Sequence, residues 1–284
     1  MAMEFDLDTW IALALKEDLG KEGDISTLAS IPAAQWGRAQ LWAKEAGCFA
    51  GQVPFEKVFR FLHPEAKCTW LVQDGSRVEA GTLVAEVEGP VHTLLSGERL
   101  ALNIVQRMSA IATQTQQWVA LAGSGRTRLL DTRKTTPMFR YFEKEAVRIG
   151  GGVNHRFGLY DMVMLKDNHI DAAGGITLAV TRTQAWLGAQ GLERKIEVET
   201  RNLAEVQEAL ACKGIHRIMF DNFSPELIRE ALILVNGQVE TEASGGIHGG
   251  NLADYAATGV DFISLGALTH SVKNMDFSLK IRKA

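Results

Sequence analysis

Cysteine is scarce in this sequence. Cys48, Cys68 and Cys212 are odd in number, far apart and outside any CxxC pair, so neither a disulfide framework nor a thiolate zinc site is implied. Long apolar runs are missing too: none approaches the roughly 20 residues that a membrane-spanning helix needs. The start, Met1-Ala2-Met3-Glu4-Phe5-Asp6, is acidic and lacks the basic front and apolar middle of a signal peptide. These absences point to a soluble chain in the reducing cytoplasm, with no membrane partner. No stretch is of low complexity, and 46% hydrophobic residues with 23% charged and 27 glycines suit a globular protein. At 284 residues there is chain enough for two unequal domains.

Positive charge is in deficit overall, with a net charge of −4. Nucleic-acid binding usually shows a basic balance over a whole domain, so that class is set aside. Residues 126–166 nevertheless hold nine Lys or Arg against four Asp or Glu, a local +5 that leaves −9 on the remainder. An acidic chain with one basic segment suits a pocket for small polyanions. A solvated helix face accounts for Lys144 and Arg148 and can extend to Arg140. It does not account for Arg133, Lys134 and Arg156, which sit beside turn signals.

Residues 7–19 read as a helix, with Leu7, Trp10, Ile11 and Ala14 on one side and Gly20 as the stop. From about 36 to 92, short apolar runs alternate with Ala46-Gly47, Asp74-Gly75, Gly81 and Gly89-Pro90, which predicts a strand-rich half. Ser96 opens a long helix to about Ala122, with Arg99 in its first turn. Beyond 128 the pattern settles into strands at 128–131, 162–166, 195–199, 217–221, 239–244 and 262–266, separated by helical stretches such as 139–149. Such alternation argues for a parallel sheet with crossover helices, closed or partly closed as an α/β barrel.

The polar residues fall where barrels do chemistry. The strands finish at Asp131, Lys166, Glu199, Asp221, Ser244 and Gly266, and carboxyl ends of barrel strands carry active sites. Any one of these could be an ordinary polar exit from the core; six in register predict a shared rim. In Lys195-Ile-Glu-Val-Glu199, period-two alternation turns Glu197 and Glu199 inward together. Buried carboxylates need cations.

The segment Asp131-Thr-Arg-Lys-Thr-Thr-Pro137, continuing through Glu143-Lys144, Gly150-Gly-Gly-Val-Asn-His-Arg156 and Leu165-Lys-Asp-Asn-His169, resembles the quinolinate phosphoribosyltransferase family. The likeness extends to Glu17-Asp-Leu-Gly20, Gly97-Glu-Arg-Leu-Ala-Leu-Asn103, Glu197-Val-Glu199, Phe220-Asp-Asn222, Ala243-Ser-Gly-Gly246 and Ser264-Leu-Gly-Ala-Leu-Thr-His270. It implies a type II phosphoribosyltransferase architecture: an N-terminal α/β sandwich domain over 1–106, joined by the tail 271–284, and an incomplete, open α/β barrel over 107–270. It also implies a reaction, in which quinolinate and phosphoribosyl pyrophosphate give nicotinate mononucleotide, CO2 and pyrophosphate, a step of NAD biosynthesis.

The residue chemistry fits that reaction. Quinolinate carries two adjacent carboxylates, and an Arg fork grips a carboxylate bidentately where a Lys cannot. Arg133, His155 and Arg156 suit that task, and Lys134 and Lys166 supply point charges for carboxylate and phosphate oxygens. By resemblance, Arg99 enters the site from the neighbouring subunit of a homodimer, whose further assembly into hexamers is left open. Glu199 and Asp221 suit the ribose and a Mg2+ ion shared with the donor phosphates. Ser244-Gly245-Gly246 and Gly266-Ala267 offer backbone N–H groups to a phosphate. As ordinary alternatives, Arg99 could be a surface helix residue, His155 a satisfied loop histidine and Ser244-Gly245-Gly246 a plain turn.

Three departures from the family pattern stand out. Met138 takes a place where glycine is common, Ala110 follows Ser109 where glycine is frequent, and the interval from Glu199 to Asp221 is one residue long, with an insertion placed around Ala211 to Gly214. Rival readings are a molybdenum-operon paralogue of the same fold with another anionic substrate, a Schiff-base aldolase using a strand-end Lys, and a noncatalytic anion-binding protein.

Overall fold

A computed structural model describes residues 5–282. The first four residues of the acidic start 1–6 and the last two residues of the tail lie outside the described residues. Helix α1 (Leu7–Leu19) is capped by the Asp6 carboxylate, which accepts from the Asp8 and Thr9 amides, and it buries Ile11 and Leu15. Asp24 caps a short α2 (Ile25–Ser30) in the same way. The strand-rich half then delivers β1 (Trp36–Ala43), β2 (Gly47–Cys48), helix α3 (Gln52–Leu62), β3 (Lys67–Trp70), β4 (Arg77–Val78) and β5 (Leu83–Pro90). Helix α3 is an element that the strand-rich expectation for 36–92 did not single out. Its Phe55, Val58 and Phe59 recur at helical spacing and are fully buried, and truncating either Phe to Ala would cost about 3–5 kcal/mol.

Helix α4 (Val91–Ala122) is 32 residues long and starts five residues earlier than the sequence suggests. Gly89-Pro90 had marked a turn there, but Pro is tolerated at the mouth of a helix. Arg99 therefore lies about two turns inside α4 rather than in its first turn. The 106/107 boundary falls within this helix.

The remaining elements alternate: β6 (Arg128–Leu130), α5 (Arg140–Ile149), β7 (Val163–Leu165), α6 (Asp167–Ala173), α7 (Ile176–Gln190), β8 (Ile196–Thr200), α8 (Leu203–Ala211), β9 (Arg217–Asp221), α9 (Pro225–Val235), β10 (Glu240–Ser244), α10 (Leu252–Ala256), β11 (Phe262–Ser264), α11 (Ala267–His270) and β12 (Phe277–Arg282). Strand β12 returns to the first half, where the order β12-β1-β5-β3 forms an antiparallel sheet. The other six strands form one parallel sheet in the order β6-β11-β10-β9-β8-β7. Its end strands, β6 and β7, do not pair among the described residues; Val153 bridges Leu130 instead. The result is an α/β barrel left open on one side, with residues 154–162 in the gap.

The core runs continuously from the first sheet through α4 into the barrel. Ala211 to Gly214, where the sequence reading places an extra residue, span the end of α8 and the turn to β9, at the amino end of the strands. Ala110 is buried on α4. Met138 adopts φ +63° with its side chain largely exposed, a left-handed conformation that favours glycine. No helix among the described residues is long and apolar enough to cross a membrane.

Candidate active site

The carboxyl ends of the parallel strands open into a cavity of about 820 Å³. The loop after β6 contributes Thr132, Arg133 and Lys134, and the gap segment contributes His155 and Arg156. Lys166 follows β7, Glu199 comes from β8, Asp221 and Asn222 from the end of β9, Glu242 and Ser244 from β10. Gly245, Gly246, Gly266 and Ala267 complete the opposite wall, with His248 and His270 near them, while Met164, Met219 and Ile247 add apolar surface. The expected rim is thus assembled, with two exceptions.

Asp131 does not face the cavity. It is fully buried, paired with Lys144, and its Oδ1 accepts from the His155 amide at 2.9 Å. Lys144 is correspondingly no solvated residue. It is 1% exposed, and its Nζ also donates to the His155 carbonyl at 3.0 Å. Burial pushes Asp131 up to about 6 and Lys144 down, and their mutual attraction offsets this only in part. Arg140 too is engaged, donating to Thr135 Oγ1 and the Phe157 carbonyl at 2.9 Å each. These contacts hold the cationic loop and the gap segment against α5. Arg148, by contrast, is exposed and paired with Glu145.

The second exception is Arg99, which is exposed and does not line the cavity of its own chain.

Arg133, Lys134 and Arg156 form no ion pair among the described residues. Arg156 is pushed down by burial and by the nearby Arg133 guanidinium. Two like charges held together without a counterion describe a receptor for an anion.

Beneath them lies the opposite arrangement. Glu197 and Glu242 are fully buried; His155 Nε2 lies 3.1 Å from Glu197 Oε2 and 3.4 Å from Glu242 Oε2, and Arg217 Nη1 is 2.8 Å from Glu242 Oε2. Burial alone would lower the imidazole, but hydrogen bonds to Glu197 and Glu242 and their charges raise it to about 9. The Arg156 amide donates to Nδ1 at 2.7 Å and opposes the second proton; one N–H dipole is weaker than two carboxylates, so the upward direction stands. Of the coupled acids, Glu197 is raised by burial and by Glu242. Glu242 is lowered, since His155 and Arg217 overcome its burial.

Glu199 and Asp221 end adjacent strands. Lys166 Nζ donates to Glu199 Oε2 at 3.0 Å. Asp221 is raised by burial and by the charge of Glu199, while Asn222 Nδ2 donates to it at 2.8 Å. Two carboxylates that repel each other beside an open cavity fit a divalent cation carrying substrate oxygens. Glycine matters most in this wall at Gly245, while Gly246 has open space around it but a φ of +65°. Gly245 has φ +89° and a Cβ there would collide with the Asn222 side chain; a Cβ on Gly266 would meet Lys134 Cδ at 2.8 Å.

Sequence reasoning missed roles for Asn222, Glu242, His248 and His270. Glu242 was discoverable: alternation along 239–244 turns it inward beside Ser244. The two histidines carry no periodic signal.

Residues 24–109 match the family model described as quinolinate phosphoribosyl transferase, N-terminal domain, and 111–280 match the model of its C-terminal domain. A protein of Nicotiana glauca named quinolinate phosphoribosyltransferase (decarboxylating) 1 is 43% identical over 98% of this chain and 83% of its own. The Arabidopsis thaliana protein named nicotinate-nucleotide pyrophosphorylase (carboxylating), chloroplastic, is 44% identical over the same shares. The crystal structure of NadC from Streptococcus pyogenes superposes with a TM-score of 0.90 at 41% identity, covering 96% of this chain and 95% of that one. With the two domain models matched in succession over 24–109 and 111–280, and relatives above 40% identity along 98% of its length, the chain belongs to the quinolinate phosphoribosyltransferase family.

Proposed function

We propose that this chain is a decarboxylating quinolinate phosphoribosyltransferase, converting quinolinate and phosphoribosyl pyrophosphate to nicotinate mononucleotide, CO2 and pyrophosphate. The observation that carries this reading is the unpaired Arg133 and Arg156 beside Lys134 and Lys166, facing the Glu199 and Asp221 carboxylates across one cavity. A planar diacid with adjacent carboxylates satisfies the cations, and the Met164 and Met219 surfaces suit its ring.

Catalysis then consists of positioning and electrostatics. Arg133, Arg156 and Lys134 orient both carboxylates so that the pyridine nitrogen faces the anomeric carbon, and His155 adds a charge held from below. Ser244, Gly245, Gly246, Gly266 and Ala267 receive donor phosphate oxygens. The nitrogen bonds to the anomeric carbon while pyrophosphate departs with the electron pair of the broken C–O bond. The quaternised ring next accepts the electrons of the carboxyl group beside it, CO2 leaves, and that carbon takes a proton. Glu199 and Asp221 are the residues that would hold Mg2+, whose chemistry is to neutralise the leaving pyrophosphate; Lys166 shares Glu199 and stays within reach of both substrates.

An exposed Arg99 that misses its own cavity is the feature that supports a homodimer with shared sites, in which each α4 offers Arg99 to its partner. The three free thiols suit a reducing compartment, and we assign the chain to the cytoplasm on that ground.

Purified protein mixed with quinolinate, phosphoribosyl pyrophosphate and Mg2+ should consume quinolinate and release nicotinate mononucleotide; no product would sink the assignment. For the shared site, Arg99→Ala and Arg133→Ala chains mixed under subunit exchange should regain activity through hybrid dimers carrying one intact site. Mixing that restores nothing would refute it.

A further inference from the structure

The two walls of the cavity are joined behind by a closed ring of part-buried contacts, centred on the buried Glu143 and Thr269, that reaches the substrate-facing residues only through the backbone of Lys134 and Ala267. Arg107, on α4, has its side chain 18% exposed and Glu143, on α5, is fully buried. Arg107 Nε and Nη2 donate to Glu143 Oε1 at 3.0 and 2.8 Å. Glu143 in turn accepts from the Thr136 amide at 3.2 Å and the Thr136 hydroxyl at 2.9 Å, which pins the loop that carries Arg133 and Lys134. The same guanidinium donates to the Val272 carbonyl at 3.0 Å and to the Thr269 carbonyl, just behind the Gly266-Ala267 turn. The ring closes because Thr269 Oγ1 donates to the Lys134 carbonyl at 2.8 Å. Gln114, two turns further along α4, adds a bond from Nε2 to the Ala267 carbonyl at 2.6 Å.

We propose that Arg107 and Glu143 are positioning residues that couple the diacid-binding loop to the donor-phosphate turn, so that filling one subsite readies the other. The inference rests on the functional reading above. Its physical basis is that the planar Arg107 fork fixes direction as well as distance: one guanidinium holds the Thr269 and Val272 carbonyls directly and, through Glu143 Oε1, the Thr136 end of the other loop. Arg133 and Arg156 repel each other until an anion arrives. Once the diacid orders residues 131–137, Lys134 and Thr269 are set, and the phosphate turn behind them is ordered before the donor binds. A second ligand entering a ring already ordered gives up less conformational freedom, which is positive cooperativity.

The test uses benzene-1,2-dicarboxylate, a diacid without the ring nitrogen and so unable to attack the donor. Calorimetry in Mg2+ buffer measures the affinity for phosphoribosyl pyrophosphate with and without saturating diacid. In the unaltered protein the diacid should tighten donor binding by about fivefold or more. Glu143→Gln keeps an acceptor for Thr136 but weakens the grip on Arg107; Thr269→Val cuts the ring on its other side without touching a buried charge. Each variant should bind either ligand alone within about threefold of the unaltered protein while the coupling factor falls toward one. A variant that keeps the full factor, an unaltered protein with no coupling, or variants that lose each single ligand as severely as the coupling would overturn the proposal. Should neither ligand bind the unaltered protein at all, the functional reading itself fails.

Discussion

Two groups of charges are stacked in the barrel, one at its mouth and one beneath it. In the lower group, Glu197, Glu242, His155 and Arg217 are all buried or nearly so and all have partners of opposite sign; Arg217 also stacks its guanidinium 4.1 Å over the Phe262 ring. In the upper group, Arg133 and Lys134 are exposed and Arg156 half-buried, and none forms an ion pair among the described residues, Arg156 donating only to the Met162 carbonyl at 3.3 Å. The difference separates charges that fold the protein from charges that wait for a ligand. Removing a member of the lower group should be felt as stability, and removing a member of the upper group as affinity.

The largest effect tests the lower group. Arg217→Leu leaves two buried carboxylates with only His155 between them, and should cost about 3–5 kcal/mol in urea unfolding. A loss below about 1 kcal/mol would mean the group is not held by charge pairing, and the contrast collapses.

Next comes the upper group. Arg133→Ala should weaken diacid binding by about 3 kcal/mol, read by calorimetry, with circular dichroism and the urea midpoint unchanged. Unaltered affinity would defeat the assignment of Arg133, and a shifted midpoint would blur the two groups into one.

The smallest effect is a pH dependence. His155 rises from 6.5 to about 9 in the folded chain, so the stability it contributes is fully present below 6.5 and is lost as pH rises through about 9. Relative to His155→Gln, the unaltered protein should forfeit on the order of 2–3 kcal/mol between pH 6 and 10. A flat difference across that window would place the neutral ring in the group and give the Arg156 amide the upper hand over the carboxylates.

Much of this arrangement is legible in the sequence, because strands announce themselves twice: by apolar alternation within and by the polar residue at their end. Glu199, Asp221, Ser244 and Gly266 follow directly from that, and Glu197 from the inward parity of its strand. What local pattern does not carry is which charge meets which across the fold. Lys144 reads as solvated on a helical wheel, yet Asp131, thirteen positions earlier, draws it into the core. Asp131 reads as a rim residue, yet it turns away to hold His155. Helix α3 was written in the spacing of Phe55, Val58 and Phe59 and was masked by the turn signals on either side. Arg107 and Glu143, 36 positions apart on different helices, have no signature short enough to see. Arg99 is singled out by resemblance alone, since it is exposed and makes no side-chain hydrogen bond or ion pair among the described residues.

Helix α4 has a consequence for how the molecule moves. At 32 residues it is a rod of about 48 Å that passes beside the antiparallel sheet at one end and the barrel at the other, with no glycine or proline between Glu98 and Ala122 to act as a joint. A push on the Arg99 end is therefore delivered undiminished to Arg107 and Gln114. Whatever docks against that end in an assembly would act on the catalytic loops as through a lever, and severing the chain midway along the rod would leave two stumps with bare apolar flanks rather than two independent proteins.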